Sequence, residues 1–200
     1  MNVLLINGSP HEKGCTYTAL SLIAGELKAQ GIETEILHVG GQPVGGCRSG
    51  NGCVFGGVVN EAIEKAKTAD AFVFGSPVHY ASAAGNMASF MDRLAYAGGK
   101  YLAYKPAAVC CSARRAGTTS TLDQLVKYPQ FFHMPLVNGS YWAMVHGSNP
   151  EQVLQDAEGC AVMQELGRNM AWLLRCIEAG KAAGIDHPQN PPRPMTNFIR

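Results

Sequence analysis

No apolar run in these 200 residues reaches the ~20 residues that a membrane-spanning helix requires. Charge of one sign is also missing. The 16 Lys and Arg stand against 15 Asp and Glu, and a formal net charge of +1 leaves no electrostatic footprint for nucleic acid or an anionic membrane. The chain has no G-x-S-x-G elbow, which argues against a hydrolase. It opens on an apolar run without a basic n-region or small-residue cleavage site, so the expectation is a cytoplasmic protein. Seven cysteines, an odd number in a chain too long to need staples, fit reduced thiols rather than a disulfide framework. The length suits one α/β domain with a sizeable core.

What is present is a pattern that repeats. Val3, Leu4, Leu5 and Ile6 form an apolar run without alternation, as a strand covered on both faces would. A turn from Gly8 to Gly14 comes next, and then Cys15, Thr16 and Thr18 lead into a helix predicted from Thr16 to Gln30. Helix-start N–H groups lack intrahelical partners, so a phosphate meets donors and a favourable dipole end there. Five residues separate the two glycines and Gly14 is followed by Cys15, so this is neither Walker A nor the G-x-G-x-x-G fingerprint. Small residues and hydroxyls without a triphosphate lysine suit one terminal phosphate such as that of FMN. The plainer alternative is an ordinary Gly/Ser/Pro connection.

Residues 33–39 alternate toward a second strand, and the glycine-rich stretch 40–57 reads as a long loop. A short helix over Asn60–Lys67 precedes a third strand at Ala71–Phe74, a polar loop from Ser76 to Ser82, and a helix carrying Met87, Phe90, Met91 and Leu94. A further copy has Ala107–Cys111 as strand, Ser112–Thr121 as loop and Leu122–Phe131 as helix. A strand region over Leu136–Val145, broken near Asn138-Gly139, and one helical stretch over Pro150–Gly180 close the domain, taken as residues 1–184. Residues 185–200 form a proline-rich tail whose Phe198, Ile199 and Arg200 are suited to docking on a neighbouring subunit. Strands alternating with helices imply a parallel sheet with right-handed crossovers, and its strand-end loops converge where ligands bind.

GSPHEKGCT, GSPVHYASAAGNMASFMDR and SARRAGTT resemble the three flavin loops of the flavodoxin-like NAD(P)H-dependent FMN reductases, a group related to the iron–sulfur flavoproteins. The resemblance covers nearly the whole chain. It implies an α/β, flavodoxin-like three-layer sandwich with a five-stranded parallel sheet in the order 2-1-3-4-5. It places FMN phosphate on Ser9, Gly14, Cys15, Thr16 and Thr18, with His11 beside them. The ring would lie against Ser76, Pro77, Val78, His79 and Tyr80 on one side and Ser112, Ala113, Arg114 and Gly117 on the other. It further implies NAD(P)H as co-substrate, a small electron acceptor (flavin, quinone, azo compound or metal ion), and a homodimer or homotetramer.

Relatives often carry arginine directly after the first Ser-Pro, where this chain has His11. The iron–sulfur members carry a compact cysteine cluster in the long loop, whereas this loop has only Cys47 and Cys53, and two thiolates cannot supply the four ligands a cluster takes. No metal centre is expected. Cys15, at a helix start, is either a thiol with a lowered pKa or a small residue whose N–H does the binding. His79 and Tyr80 are candidates to stack on the ring or protonate a reduced quinone, or are only pocket wall. Asp92 and Arg93 resemble the family's Asp-Arg pair and are expected to form a structural ion pair, and one of Arg114 and Arg115 to meet dinucleotide phosphates. Near-neutral charge argues mildly against the alternative of an electron-transfer module serving a protein partner, since such carriers tend to be strongly acidic. A flavin-free binding protein on the same fold is the other alternative.

Overall fold

The computed structural model describes residues 1–48 and 53–196. In chain order the elements are β1 (Asn2–Asn7), α1 (Cys15–Ala29), β2 (Glu33–His38), α2 (Val58–Thr68), β3 (Ala71–His79) and β4 (Ser82–Ala83). Then come α3 (Gly85–Gly98), β5 (Ala107–Ala113), α4 (Thr118–Phe131), β6 (Met144–His146), α5 (Pro150–Val153) and α6 (Ala157–Ala182).

Side chains of β1 alternate between two cores because helices cover both faces of the sheet. Val3 and Leu5 pack with Ile23 and Leu27 of α1 and Met163, Leu166 and Met170 of α6. Leu4 and Ile6 pack on the other face with Phe72, Phe74, Met87, Phe90, Met91 and Leu94. That double cover is why the strand reads as an unbroken apolar run. Each such side chain, wholly buried, contributes roughly 1.5–3 kcal/mol. The four methionines at helical spacing, Met87, Met91, Met163 and Met170, are all within these cores.

The parallel strands lie in the order β2-β1-β3-β5-β6, which is the expected flavodoxin-like order with one added element. That element is β4, two residues long, paired antiparallel to the end of β3. Among the described residues the sheet therefore has six strands rather than five.

Three expectations shift. The polar loop after Phe74 is strand, because β3 stays paired to β5 as far as Pro77↔Ser112 and then turns back as a hairpin. The last strand region narrows to Met144–His146 plus one isolated bridge, Ala107↔Leu136. The helical stretch 150–180 breaks before Asp156, whose carboxylate caps α6 by accepting from Gly159 N (3.0 Å) and also accepts from His146 N (2.7 Å). One side chain thus starts the closing helix and ties it to the end of β6.

The tail runs back over its own chain. His187 stacks on Tyr104 (4.5 Å between centroids), Asn190 Nδ2 donates to the Tyr104 hydroxyl (2.7 Å), and Arg193 lies over the Phe131 ring (5.5 Å). The expected docking residues Phe198, Ile199 and Arg200 lie outside the described residues. No helix among the described residues is long and apolar enough to cross a membrane.

Candidate functional site

The site is built at the carboxyl ends of β1, β3 and β5. From β1 the chain leaves through Gly8, and Asn7 organises the turn beyond it: its Oδ1 accepts from Ser9 N (3.1 Å) and its Nδ2 donates to Glu12 O (2.9 Å). Ser9 is buried and its Oγ accepts from His11 N (3.1 Å), which closes a tight turn before Gly14. Gly14 stands at the N-cap of α1 and offers no side chain to its N–H groups. Thr18 N is the first in α1 to find a backbone acceptor, Gly14 O at 3.0 Å. The N–H groups of Cys15, Thr16 and Tyr17 therefore have no backbone acceptor among the described residues, and they are the donors an anion requires.

The hydroxyls expected on this phosphate are engaged with protein. Thr18 Oγ1 donates to Gly14 O (3.2 Å), and the buried Thr16 shares a hydrogen bond of 2.8 Å with Ser112 Oγ at the end of β5. Thr16 thus joins the first loop to the third. His11 is exposed at the rim. The Cys15 thiol is 3.6 Å from Gly147 O, and burial pushes its pKa up, which speaks against the low-pKa reading.

Two further walls come from β2 and β3. Val39 N and Gly40 N both donate to Asn7 O (2.9 and 3.2 Å), and His38 Nε2 bonds Ser9 O (2.8 Å). A Cβ at Gly40 would overlap the carbonyl oxygens of Gly8 and Ser9, so only glycine lets the two loops meet. A hollow of about 300 Å³ opens between them, lined by Gly8, Pro10, Gly40, His79, Ala84, Gly85 and Asn86. Asn86, at the start of α3, pins the long loop there: its Nδ2 donates to Gly40 O and Gln42 O, and its Oδ1 accepts from Val44 N.

The hairpin that ends β3 is the most constrained part. His79 pairs with Ser82, and the reversal falls on Tyr80 and Ala81, at φ +51° and +60°. Two left-handed residues in a two-residue turn make a type I′ geometry that ordinarily takes Asn-Gly. Each non-glycine residue there costs about 1–2 kcal/mol. Tyr80 is fully exposed at 105%, so no packing of its ring compensates the strain. The buried Ser76 hydroxyl accepts from Ala84 N (3.0 Å) beneath the hairpin. Gly117, at φ +94° before α4, abuts the turn so closely that a Cβ would stand 2.7 Å from Ala81 Cα. Pro77 and Val78 are half-buried and His79 exposed.

The third loop leaves Ser112 and Ala113 inside β5, with Arg114 and Arg115 exposed beyond them and without a partner among the described residues. Below it, burial pushes the Cys111 thiol up to about 12.

The residues expected to form the site are brought together, with Ser76–His79 and Ser112–Ala113 on strands rather than loops. The expected Asp92–Arg93 pair does not form, because the two point apart. Asp92 Oδ1 accepts from the Tyr128 hydroxyl (2.6 Å), while the buried Arg93 donates to Cys53 Sγ (2.9 and 3.2 Å) and Gly56 O. Arg93 and Asn86, two turns apart on α3, thus hold opposite ends of the long loop. Sequence reading gave Asn86 no role although it falls inside the middle motif, since its backbone partners Gly40, Gln42 and Val44 come from a distant loop. Among the described residues no three His, Cys, Asp or Glu side chains gather as a metal site needs.

FMN fits what is present: a dianion on three unpaired first-turn N–H groups, with glycine-lined space beside a strained hairpin. A family model described as NADPH-dependent FMN reductase matches residues 1–149. The chain is 33% identical over 98 residues to an iron–sulfur flavoprotein of Archaeoglobus fulgidus, a match over 46% of this chain and 48% of that protein. It is 26% identical over 192 residues to an iron–sulfur flavoprotein of Methanocaldococcus jannaschii, over 89% of this chain and 100% of the relative. The chain thus spans about half of the first relative and all of the second. Among solved structures, a flavone reductase shares the fold with a TM-score of 0.69 at 18% identity, over 89% of this chain and 64% of that one. With the model match extending through all three loops, the chain belongs to the NADPH-dependent FMN reductase family.

Proposed function

We propose that this protein takes hydride from NAD(P)H on a bound FMN and passes the electrons to a small acceptor: free flavin, a quinone, an azo compound or a metal ion. The observation that carries this reading is the unpaired first turn of α1, joined through Thr16 and Ser112 to the end of β5 and faced by the hairpin at Tyr80.

FMN supplies the two-electron chemistry when bound, and the protein supplies binding and orientation. The N–H groups of Cys15, Thr16 and Tyr17 hold the phosphate. Pro77, Val78, His79 and Tyr80 form one wall beside the ring, and Ser112, Ala113, Arg114 and Gly117 the other. Tyr80 and His79, both exposed, stack on the ring or give a proton to a reduced quinone in this reading. One of Arg114 and Arg115, both exposed and neither tied to a carboxylate among the described residues, meets the dinucleotide phosphates. Hydride transfer itself asks for no side-chain acid or base.

Free thiols on Cys15, Cys53, Cys110, Cys111, Cys160 and Cys176 suit a reducing, cytoplasmic setting. Exposed aromatic side chains at Tyr96 and Phe131 suit assembly into a dimer or tetramer. The test is an anaerobic titration of FMN-loaded protein with NADH and NADPH, and then a panel of acceptors. A protein that binds no FMN at micromolar concentration overturns the reading; one that binds FMN but oxidises neither nucleotide without a protein partner is an electron-transfer module instead.

A further inference from the structure

The turn at Tyr80–Ala81 is held in its left-handed geometry from outside, by α4. Gln124 Oε1 accepts two hydrogen bonds from the returning strand, from Ser82 Oγ (2.7 Å) and Ala83 N (2.9 Å). Four residues earlier, one turn along the same face, Ser120 Oγ donates to Ala81 O (2.7 Å). The Ala81 carbonyl and the Ala83 amide are backbone groups of the turn and its return strand, so together these contacts fix its height and twist. The β4 strand is only two residues long and its ladder with β3 has two pairs, Val78↔Ala83 and His79↔Ser82. A ladder that short does not by itself hold two strained residues, and an isolated hairpin is marginal in water at best.

We propose that Gln124 and Ser120 are positioning residues for the flavin site. They hold Tyr80 upright on a turn its own sequence disfavours, and so set the wall against which FMN and the nucleotide bind. The inference rests on the reading of this hairpin as a flavin wall. It assigns α4 a role beyond the core contacts of its apolar face.

The acceptor role makes the chemistry separable. Only Oε1 of Gln124 is used, so glutamate keeps both hydrogen bonds and leucine removes both. Ala81→Gly relieves the left-handed strain without touching the Tyr80 ring. Hydrogen exchange of the Ala83 amide in flavin-free protein reads the clamp directly. FMN affinity, and KM against kcat for NADPH, read its consequence.

Gln124→Leu is expected to speed Ala83 exchange about tenfold and to raise the FMN Kd and the NADPH KM by about the same factor, with kcat less changed. Gln124→Glu should keep wild-type values, and Ala81→Gly added to Gln124→Leu should restore much of the loss. Unchanged Ala83 exchange in a folded Gln124→Leu protein overturns the inference, and so does faster exchange with FMN Kd and KM both unchanged. Wild-type protein that takes up no FMN overturns the underlying reading and this inference with it, a failure visible before any variant is made.

Discussion

Replacing Gly40 by alanine tests whether the first and second loops meet as closely as the site requires. Gly40 is buried, its N–H is bonded to Asn7 O, and the added Cβ would fall well inside 3 Å of two carbonyl oxygens, those of Gly8 and Ser9. These obstacles are backbone atoms, so no rotamer change relieves the overlap, and β1 and β2 must part at their ends. Overpacking of this kind costs about 1–3 kcal/mol, and a backbone obstacle belongs at the upper limit. At about 2–4 °C per kcal/mol for a domain of this size, Tm should fall by roughly 6–12 °C. The loop that moves carries Ser9, so FMN affinity should weaken as well, and about 1.4 kcal/mol of the strain appearing at the phosphate is a factor of ten in Kd. The control lies in the same loop. A Cβ at Gly45 meets nothing within 4 Å and its φ is not left-handed, so Gly45→Ala should be neutral or stabilising by about 0.4–1 kcal/mol. Scanning calorimetry and an FMN fluorescence titration on the two variants suffice. A Gly40→Ala protein that melts within about 2 °C of wild type and binds FMN equally well would refute the reasoning.

Gly25 lies inside α1 with open space where its Cβ would stand, so Gly25→Ala should raise Tm by roughly 2–4 °C through helix propensity of about 1 kcal/mol, read in the same calorimetry. Arg115→Ala, which leaves the flavin wall untouched, should raise the NADPH KM about tenfold, the loss of one charge-assisted contact, with little change in FMN affinity; an unchanged KM would dismiss its contact with the nucleotide. Burial pushes the Cys110 and Cys111 thiols up, and burial together with Asp92 pushes Tyr128 up. These groups stay protonated in the folded chain while their unfolded counterparts ionise from about 9.0 for cysteine and 10.0 for tyrosine. Their contribution to stability is therefore present below about pH 9 and lost as pH rises through that range, so Tm should decline above pH 9 and decline less steeply in Tyr128→Phe.

The sequence by itself determined a parallel sheet and the end of it at which the site lies, while the strand order came from the resemblance of its three loops to a known family. Runs such as Val3–Ile6 and Ala71–Phe74 are apolar without alternation because both faces are covered, and Gly8 marks where the first turns into a loop, whereas β3 runs on past Gly75 to His79. Loops following such strands meet at one end of a parallel sheet, and that brought Ser9–Thr18, Ser76–Tyr80 and Ser112–Gly117 together before any coordinates were needed. Only the tertiary structure decided how those segments are held. Thr16 commits its hydroxyl to Ser112, the Cys15 thiol turns to Gly147 and Asp92 to Tyr128, because each partner arrives from a distant part of the chain that local pattern does not encode. The hairpin at Tyr80 shows the division most clearly. Local preference disfavours two left-handed residues in Tyr-Ala, and the turn exists because Gly117, Ser120 and Gln124 of a later segment pack against it.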